Sequence, residues 1–171
     1  YSGYIHSENS DYTKIKAKGG VLIDFDLDGD LDLTYGYSDS YYFKNNEGVF
    51  EDITEEYSID SQGIRGMVAG DIDNNGIPDI AVLNMYPHKS FIFKNTYSGN
   101  NNWLKVKLIG HNSNRDAYGT RLVLYSGDLI LSRAKFSSEG YLSQNSDNIF
   151  FGLGENNQTY TKNRKSHECY I

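Results

Sequence analysis

Two acidic segments of the chain carry residue types and spacing that suit a divalent metal ion. In the first, carboxylates alternate along nine residues and a glycine stands at the sixth position: Asp24, Asp26, Asp28, Gly29, Asp30 and Asp32. The second repeats this plan with Asp71, Asp73, Asn75, Gly76, Ile77 and Asp79. Calcium takes about six to eight oxygen ligands, and glycine allows the chain to turn sharply around the ion. The sequence therefore predicts two Ca²⁺ sites.

The seventh and ninth positions indicate which atoms would coordinate the ions. Ile77 can offer only its backbone carbonyl, so the Asp30 carbonyl, more than its side chain, is expected to serve in the first segment. An EF-hand would need a bidentate Glu at its twelfth position, and neither segment has one. The spacing instead predicts a shorter loop that is closed by Asp32 or Asp79 and runs straight into a strand.

Three other interpretations of the acidic segments fit less well. The first is that the segments are solvated acidic turns without a metal ion. In such a turn the carboxylates would repel by about 1 kcal/mol per close pair even in bulk water, and no basic residue lies nearby in sequence to offset this repulsion. Mg²⁺ prefers octahedral sites that retain several waters. A catalytic metal needs an open coordination position beside a base or nucleophile, which these segments do not indicate. The calcium ions are therefore expected to be structural.

An internal repeat contains the two acidic segments. Residues 19–33 align without gaps on residues 66–80, and residues 40–45 match residues 90–95. Short apolar runs separated by Gly and Asn indicate strands. Each unit would have about four strands in roughly 50 residues, which is the size of a β-propeller blade. The predicted fold is all-β, with two blade-like four-stranded units of a partial propeller followed by a small β-rich module. Because propellers have typically about 4 to 8 blades, the chain is expected to be the C-terminal end of a larger one.

Changes of pattern along the chain predict its divisions. They are, in order, a remnant of a preceding blade or a linker (1–18), two repeats (19–102, divided at about 19–65 and 66–102), a β-rich module (103–154) and a loose polar tail (155–171). Residues 104–108 alternate as a half-exposed strand that either closes the second blade or opens the module. Strands at 120–125 and 129–133 are expected to form a hairpin with a tight turn at Gly127.

Composition and motifs exclude several classes of function. With 171 residues the chain has room for one domain and a small appendage, and its net charge of -7 argues against a nucleic-acid partner. No apolar run approaches the roughly 18 residues of a membrane span, so membrane insertion is not expected. The single cysteine, Cys169, is expected to be a free thiol. No nucleophile elbow, phosphate loop or histidine metal motif is present, and the chain is expected not to be an enzyme.

Two further sets of side chains leave alternatives open. Arg115 and Arg121 could bind an anionic ligand, although tying a loop to a nearby carboxylate is the commoner role of such arginines. A group of tyrosines could offer an aromatic face to sugars, although strand tyrosines more often pack between blades. These tyrosines are Tyr35, Tyr37, Tyr41 and Tyr42.

Several motifs resemble known repeat families. Both units are similar to the calcium-binding blades called VCBS or FG-GAP repeats, with a D-x-D-x-D-G-x-x-D loop before a strand, a later Phe-Lys-Asn segment, and a G-x-F-x-D-V-T-like strand at 48–54. The remainder resembles the ASPIC/UnbV module of the cartilage acidic protein-like family. The segments that carry this resemblance are 102–108, 113–121, 140–144 and 151–154. The Trp-Pro-x-Gly strand that normally follows has no counterpart in residues 156–171.

The resemblance implies a secreted or cell-surface scaffold loaded with calcium. Such a scaffold would mediate adhesion or bind an extracellular protein or glycan that the sequence does not identify. The alternative is a non-catalytic accessory domain of a secreted enzyme, such as a polysaccharide-degrading one, whose catalytic part would lie upstream of Tyr1. A hydrolytic activity of the chain itself would need perturbed carboxylates in a cleft away from the acidic loops.

Overall fold

The computed structural model describes residues 17–57, 63–111 and 114–157, together with the backbone of residues 160–163. Residues 1–16 of the predicted remnant or linker (1–18) and Cys169 lie outside the described residues. Within those residues the regular elements are strands, so the fold is all-β as predicted. They are β1 (Gly19–Ile23), β2 (Asp32–Gly36), β3 (Ser40–Asn46), β4 (Val49–Asp52), β5 (Ile64–Gly70), β6 (Asp79–Asn84), β7 (Phe91–Phe93), β8 (Asn102–Lys107), β9 (Arg121–Ser126), β10 (Leu129–Ala134), β11 (Asn148–Gly154) and β12 (Tyr160–Asn163). No helix in the described part is long and apolar enough to cross a membrane.

The first unit, β1 to β4, is a four-stranded antiparallel meander in the order β1-β2-β3-β4. Burial alternates along β1 and β2, with Gly19, Val21 and Ile23 of β1 and Asp32, Thr34 and Gly36 of β2 on the buried face of the sheet. Glu47 and Gly48 form the two-residue turn between β3 and β4, and both have positive φ, at 53° and 92°. This conformation matches the twist of the flanking strands, which explains the glycine there.

The second unit, β5 to β7, has three strands among the described residues, whereas four were expected. Residues 99–102, which correspond to β4 in the repeat alignment, read Gly-Asn-Asn-Asn and offer no apolar side chain to cover a sheet. Asn102 instead begins β8, which pairs with β11. Of the two predicted alternatives, this strand therefore opens the module.

The two units pack face to face around a shared core. Val21 and Ile23 of the first unit contact Ile64, Met67 and Val82 of the second, and all five are nearly inaccessible to solvent. The Ile64 N–H also donates to the Tyr37 carbonyl at 2.7 Å, which continues the contact through the backbone. Packing of one small sheet on the next is the arrangement of neighbouring propeller blades.

The C-terminal module, β8 to β12, contains a β11-β8 pair and a β10-β9-β12 sheet. Its core is formed by Val106, Leu108, Ala117, Leu122, Leu124, Leu131, Phe151 and Leu153. The predicted hairpin is present, since β9 and β10 pair from Ser126↔Leu129 outward and Gly127 takes a left-handed φ of 55° in the turn.

One strand lies in the segment that was expected to be a loose tail. Tyr160–Asn163 pairs antiparallel with β9, in the register Tyr160↔Tyr125 to Asn163↔Leu122. The physical reason is the outer edge of β9, whose backbone groups would otherwise lack strand partners. The polar composition of residues 155–171 was therefore a poor guide at these four residues, because an edge strand draws its stability from backbone pairing.

Candidate metal loops and their contacts with the C-terminal module

The acidic segments form equivalent connections between the first two strands of each unit. Loop one (residues 24–32) joins β1 to β2, and loop two (residues 71–79) joins β5 to β6. Leu27 and Asn74, at the fourth position of each loop, have φ values of 62° and 59°. Gly29 and Gly76, at the sixth position, have φ values of 105° and 90°. Two left-handed residues per loop curl both segments in the same way, which glycine accommodates without strain at the sixth position.

A matching set of hydrogen bonds holds each loop in this shape. In loop one the bonds run from Gly29 N to Asp24 Oδ2 (3.1 Å), Asp30 N to Asp28 Oδ1 (2.9 Å), Phe25 N to Asp32 Oδ2 (3.0 Å) and Asn45 N to Asp32 Oδ1 (2.8 Å). In loop two they run from Gly76 N to Asp71 Oδ2 (3.0 Å), Ile77 N to Asn75 Oδ1 (2.8 Å), Ile72 N to Asp79 Oδ2 (2.9 Å) and Asn95 N to Asp79 Oδ1 (2.8 Å). The repeated sequence thus specifies a repeated backbone path.

The ninth-position aspartates tie each loop to the asparagine of the Phe-Lys-Asn segment in its unit. Asp32 and Asp79 are almost completely buried, and both oxygens of each carboxylate accept backbone N–H groups. Burial raises the pKa of Asp32 to about 7, although the hydrogen bonds from Asn45 and Phe25 act in the opposite direction. These carboxylates are therefore structural links, whether or not they also touch an ion.

Three carboxylates converge in each loop closely enough to hold a metal ion. One oxygen from each of Asp24, Asp26 and Asp28 lies within 4.8 Å of the others, and the same holds for Asp71, Asp73 and Asp79. Loop one thus gathers the first, third and fifth positions, while loop two gathers the first, third and ninth. Asp32 does not belong to the loop-one cluster.

The remaining predicted ligands have other contacts within the loops. Asp30 Oδ2 accepts the Glu47 N–H at 2.7 Å, which ties the Asp30 side chain to the β3–β4 turn and leaves its carbonyl as the predicted ligand. Asn75 Oδ1 accepts the Ile77 N–H. Coordination by Asp30, Asn75 and Ile77 stays a prediction.

Loop one passes a direct test of fit for a cation. Asp24 Oδ1 and Asp26 Oδ1 are buried and have no hydrogen-bond partner in the described part of the chain. A buried carboxylate oxygen without a donor is costly unless it is protonated or meets a cation. Burial raises the pKa of Asp24 to about 7; the Arg133 guanidinium lowers it, and the neighbouring Asp28 carboxylate raises it. For loop two, the support for a cation is the convergence of the Asp71, Asp73 and Asp79 carboxylates.

Lysines from other strands reach both loops. Lys44 of β3 forms an ion pair with Asp26 and lies 3.7 Å from Asp28 Oδ2, and Lys94, directly after β7, pairs with Asp73. The expectation that nothing basic offsets the carboxylates holds along the sequence but is wrong in space. These lysines relieve part of the repulsion between the carboxylates. The unpartnered Oδ1 atoms of Asp24 and Asp26 are therefore a stronger argument for a bound ion than that repulsion is.

The C-terminal module contacts loop one through its backbone and one arginine. The Gly152 N–H of β11 donates to Asp24 Oδ2 at 3.0 Å, and the Gly154 N–H donates to the Leu27 carbonyl at 2.9 Å. Arg133 of β10 donates from Nη2 to the Gly29 carbonyl at 2.9 Å. The carboxylate that carries the orphaned oxygen therefore also fastens the module to the first unit.

The same module contacts loop two through β8. Lys105 Nζ lies 2.8 Å from Asp71 Oδ2, and the Asp71 side chain is only 1% exposed. The Trp103 ring covers Gly76 so closely that a Cβ there would overlap it. Since β8 pairs with β11, one two-stranded sheet contacts both acidic loops.

The other candidate residues do not form a site in the described structure. Arg121 donates to Ser132 Oγ at 2.9 Å on an exposed surface, and the predicted tie to a carboxylate is not among its described contacts. Tyr35 stacks on Tyr41 with ring centroids 5.3 Å apart, and Tyr42 is buried. These contacts lie within the first unit, so packing of the tyrosines between blades stays a prediction.

Comparison with protein-family models finds a match for two segments of the chain. A model described as FG-GAP-like repeat matches residues 24–82, which include both acidic loops. A model described as ASPIC and UnbV matches residues 110–161, which include β9 to β11 and the start of β12. A search of curated proteins found no match. FG-GAP-like repeats are typical of extracellular β-propeller-like proteins. The chain therefore carries an FG-GAP-like repeat segment followed by an ASPIC/UnbV module, as the motifs predicted.

Sequence reasoning missed the residues that approach the loops from elsewhere in the fold. The repeated Phe-Lys-Asn segment was visible, but the sequence did not show that its lysine pairs with the third loop position and its asparagine with the ninth. Gly152 and Arg133 gave no signal for loop contact because they are more than one hundred residues away in sequence.

Proposed function

We propose that this protein is a secreted or cell-surface β-propeller-type scaffold that binds two structural calcium ions and mediates adhesion or interaction with an extracellular protein or glycan. The observation that carries the proposal is the Asp24 carboxylate. One of its oxygens accepts N–H groups from loop one and from the module, and the other is buried and has no hydrogen-bond partner among the residues that the structure describes.

The converging carboxylates indicate how each ion would be held. In loop one, Asp24, Asp26 and Asp28 would supply ligands, with the Asp30 carbonyl as a further candidate. When bound, calcium supplies positive charge that allows buried carboxylates to stay ionised. At a calcium concentration tenfold above the dissociation constant, each site adds about 1.4 kcal/mol to the free energy of unfolding.

Loop two would hold its ion with Asp71, Asp73 and Asp79, together with Asn75 and the Ile77 carbonyl. Both ions would then lie at the ends of neighbouring blade-like sheets, beneath the same module. Their expected effect is to fix the two units and the module in one arrangement. This role suits a chain that has one cysteine and so cannot form an internal disulfide.

The electrostatics favour a non-catalytic role. Among the described residues, the carboxylates with raised pKa are Asp24, Asp28 and Asp32, and all three lie in loop one. A hydrolase would need such groups in a cleft away from the metal loops. The net charge of -7 likewise favours a partner other than nucleic acid.

Calcium titration followed by thermal melting tests the proposal. We expect added calcium to raise the melting temperature, and we expect Asp26→Ala and Asp73→Ala together to abolish most of that rise. Asp128→Ala, which removes an exposed carboxylate from the β9–β10 turn, is the matched control and should respond as the wild type does. A double variant that keeps full calcium affinity, or a wild type whose melting temperature ignores calcium, would contradict the proposal.

A further inference from the structure

A cavity of about 610 Å³ lies between the first unit and the C-terminal module. The first unit lines the cavity with residues 20–24, Leu31 and Leu33, and the second unit adds Ala69 and Pro78. The module lines the rest with side chains between Ser132 and Phe150. A volume of this size holds a small organic ligand. The acidic loops account for one edge of the cavity, at Asp24, and leave the chemistry of the module wall unexplained.

The module wall presents a lysine that is almost completely buried. The Lys135 side chain is 7% exposed, and its charged partner in the described structure is Asp147, whose side chain is 59% exposed. The distance from Lys135 Nζ to Asp147 Oδ1 is 3.7 Å, which exceeds a hydrogen bond. The Tyr118 ring lies 5.6 Å from the ammonium. A lysine buried to this extent normally has a close anionic partner.

Arg133 lines the cavity two residues earlier in the chain. Its Nη2 and Nη1 donate to the carbonyls of Gly29 and Ser132 at 2.9 and 3.2 Å. Its Nε is buried and has no partner among the described residues. None of the ion pairs found in the described structure involves Arg133, although its charge acts on the nearby Asp24 and Asp30 carboxylates, so part of its hydrogen-bonding capacity remains unused.

The acidic groups around the cavity have other contacts. Glu139 Oε2 accepts the Asn145 amide at 2.9 Å, and Asp24 accepts N–H groups in loop one and from Gly152. Asp147 is mostly exposed, so water screens its charge. A small anion that enters the cavity would therefore meet the Lys135 ammonium, whose partner Asp147 is mostly exposed, and the Arg133 guanidinium, whose charge it would share with Asp24 and Asp30.

The rest of the wall suits a ligand larger than a carboxylate. Asn148 and Ser138 contribute an amide and a hydroxyl that match sugar hydroxyl groups. Phe136 also lines the cavity and is 57% exposed, which leaves its ring available for stacking on a sugar.

We propose that this cavity binds an acidic saccharide, with the sugar carboxylate paired to Lys135 and Arg133 and the ring placed against Phe136. The inference rests on the proposed scaffold function, because it names a glycan class as the partner. It does not depend on the calcium loops, which are tested separately by melting.

NMR titration with glucuronate tests the inference, with glucose as the neutral sugar that lacks the carboxylate. Both titrations use the full chain at one fixed calcium concentration. We expect glucuronate to bind at least about tenfold more tightly than glucose, since hydrogen bonds to charged groups are the strong ones. Lys135→Met should weaken glucuronate binding by about tenfold or more, and Lys135→Arg should restore much of it. Lys89→Met, which removes an exposed lysine from the second unit, should leave the affinity unchanged.

Each outcome of this experiment bears on the proposal. Equal binding of glucuronate and glucose, unaltered affinity in Lys135→Met, or tighter binding of a triglutamate peptide would overturn it. If Lys135→Met fails to fold, the wild-type preference for glucuronate and its loss at high salt decide the matter instead. A negative result with intact calcium-dependent melting would remove the saccharide site and leave the proposed scaffold function standing.

Discussion

Adding one methyl group at Gly152 should weaken calcium binding at loop one from within the C-terminal module. A Cβ at this position would lie 2.5 Å from the Leu27 Cα and would overlap Asp24 Oδ2. Backbone and a hydrogen-bonded carboxylate cannot move aside easily, so β11 must shift and the Gly152 N–H bond to Asp24 must lengthen. Overpacking of this kind costs about 1–3 kcal/mol. For a chain of this size, the loss corresponds to roughly 2–4 °C of melting temperature per kcal/mol.

Calorimetric calcium titration of Gly152→Ala measures this effect. The titration is made in an Asp73→Ala background, so that loop one dominates the binding signal. If the distortion acts wholly on the ion-bound loop, the affinity should fall by roughly 5- to 150-fold.

Gly66→Ala provides a matched control for this experiment. Gly66 also lies in a strand, but an added Cβ would meet its nearest neighbour, the Tyr141 carbonyl oxygen, at an ordinary 3.5 Å. Its calcium affinity should equal that of the background. Wild-type affinity and melting temperature in Gly152→Ala would refute the reasoning that this carboxylate serves the ion and the module together.

Two further predictions concern the roles of individual aspartates. Asp79→Ala should destabilise the calcium-free protein by about 2–4 kcal/mol in chemical denaturation, because two backbone N–H groups lose their acceptor. Asp73→Ala should instead change chiefly the response to calcium. Equal calcium-free stabilities of the two variants would contradict this division of roles. Burial raises the pKa of Asp24 and Asp32 from 3.8 to about 7, so between these values the folded state binds more protons than the unfolded state and stability falls as pH rises. Calcium-free melts should therefore show a higher melting temperature at about pH 5.5 than at about pH 7.5, with a larger calcium effect at the higher pH, and the opposite trend would count against buried loop carboxylates.

The loops were predictable from sequence because their information is local. Alternating carboxylates with a glycine at the sixth position fix both the ligand chemistry and the curl of the backbone, and the structure shows the expected left-handed Gly29 and Gly76. The repeat also predicted two similar sheets, since equal spacing of short strands gives equal hairpins.

Contacts between distant segments were not predictable in the same way. The pairing of Lys105 with Asp71 depends on how β8 packs over the second unit, and no local pattern encodes that packing. Among the described residues the second unit has three strands, and β8, which could have supplied a fourth, pairs with β11 instead. The strand at 160–163 likewise depends on an available edge of β9, which is a property of the folded sheet and not of the segment itself.

The β8–β11 ribbon has a mechanical consequence for the molecule. Its two strands contact different loops: β11 contacts loop one through Gly152, and β8 contacts loop two through Lys105. The two strands are paired with each other along their length. Tension applied to the end of the module would thus be shared between two anchors in parallel. If one of these contacts broke, the other would still hold the module against its blade, and the broken contact could re-form quickly because its two sides would stay close together.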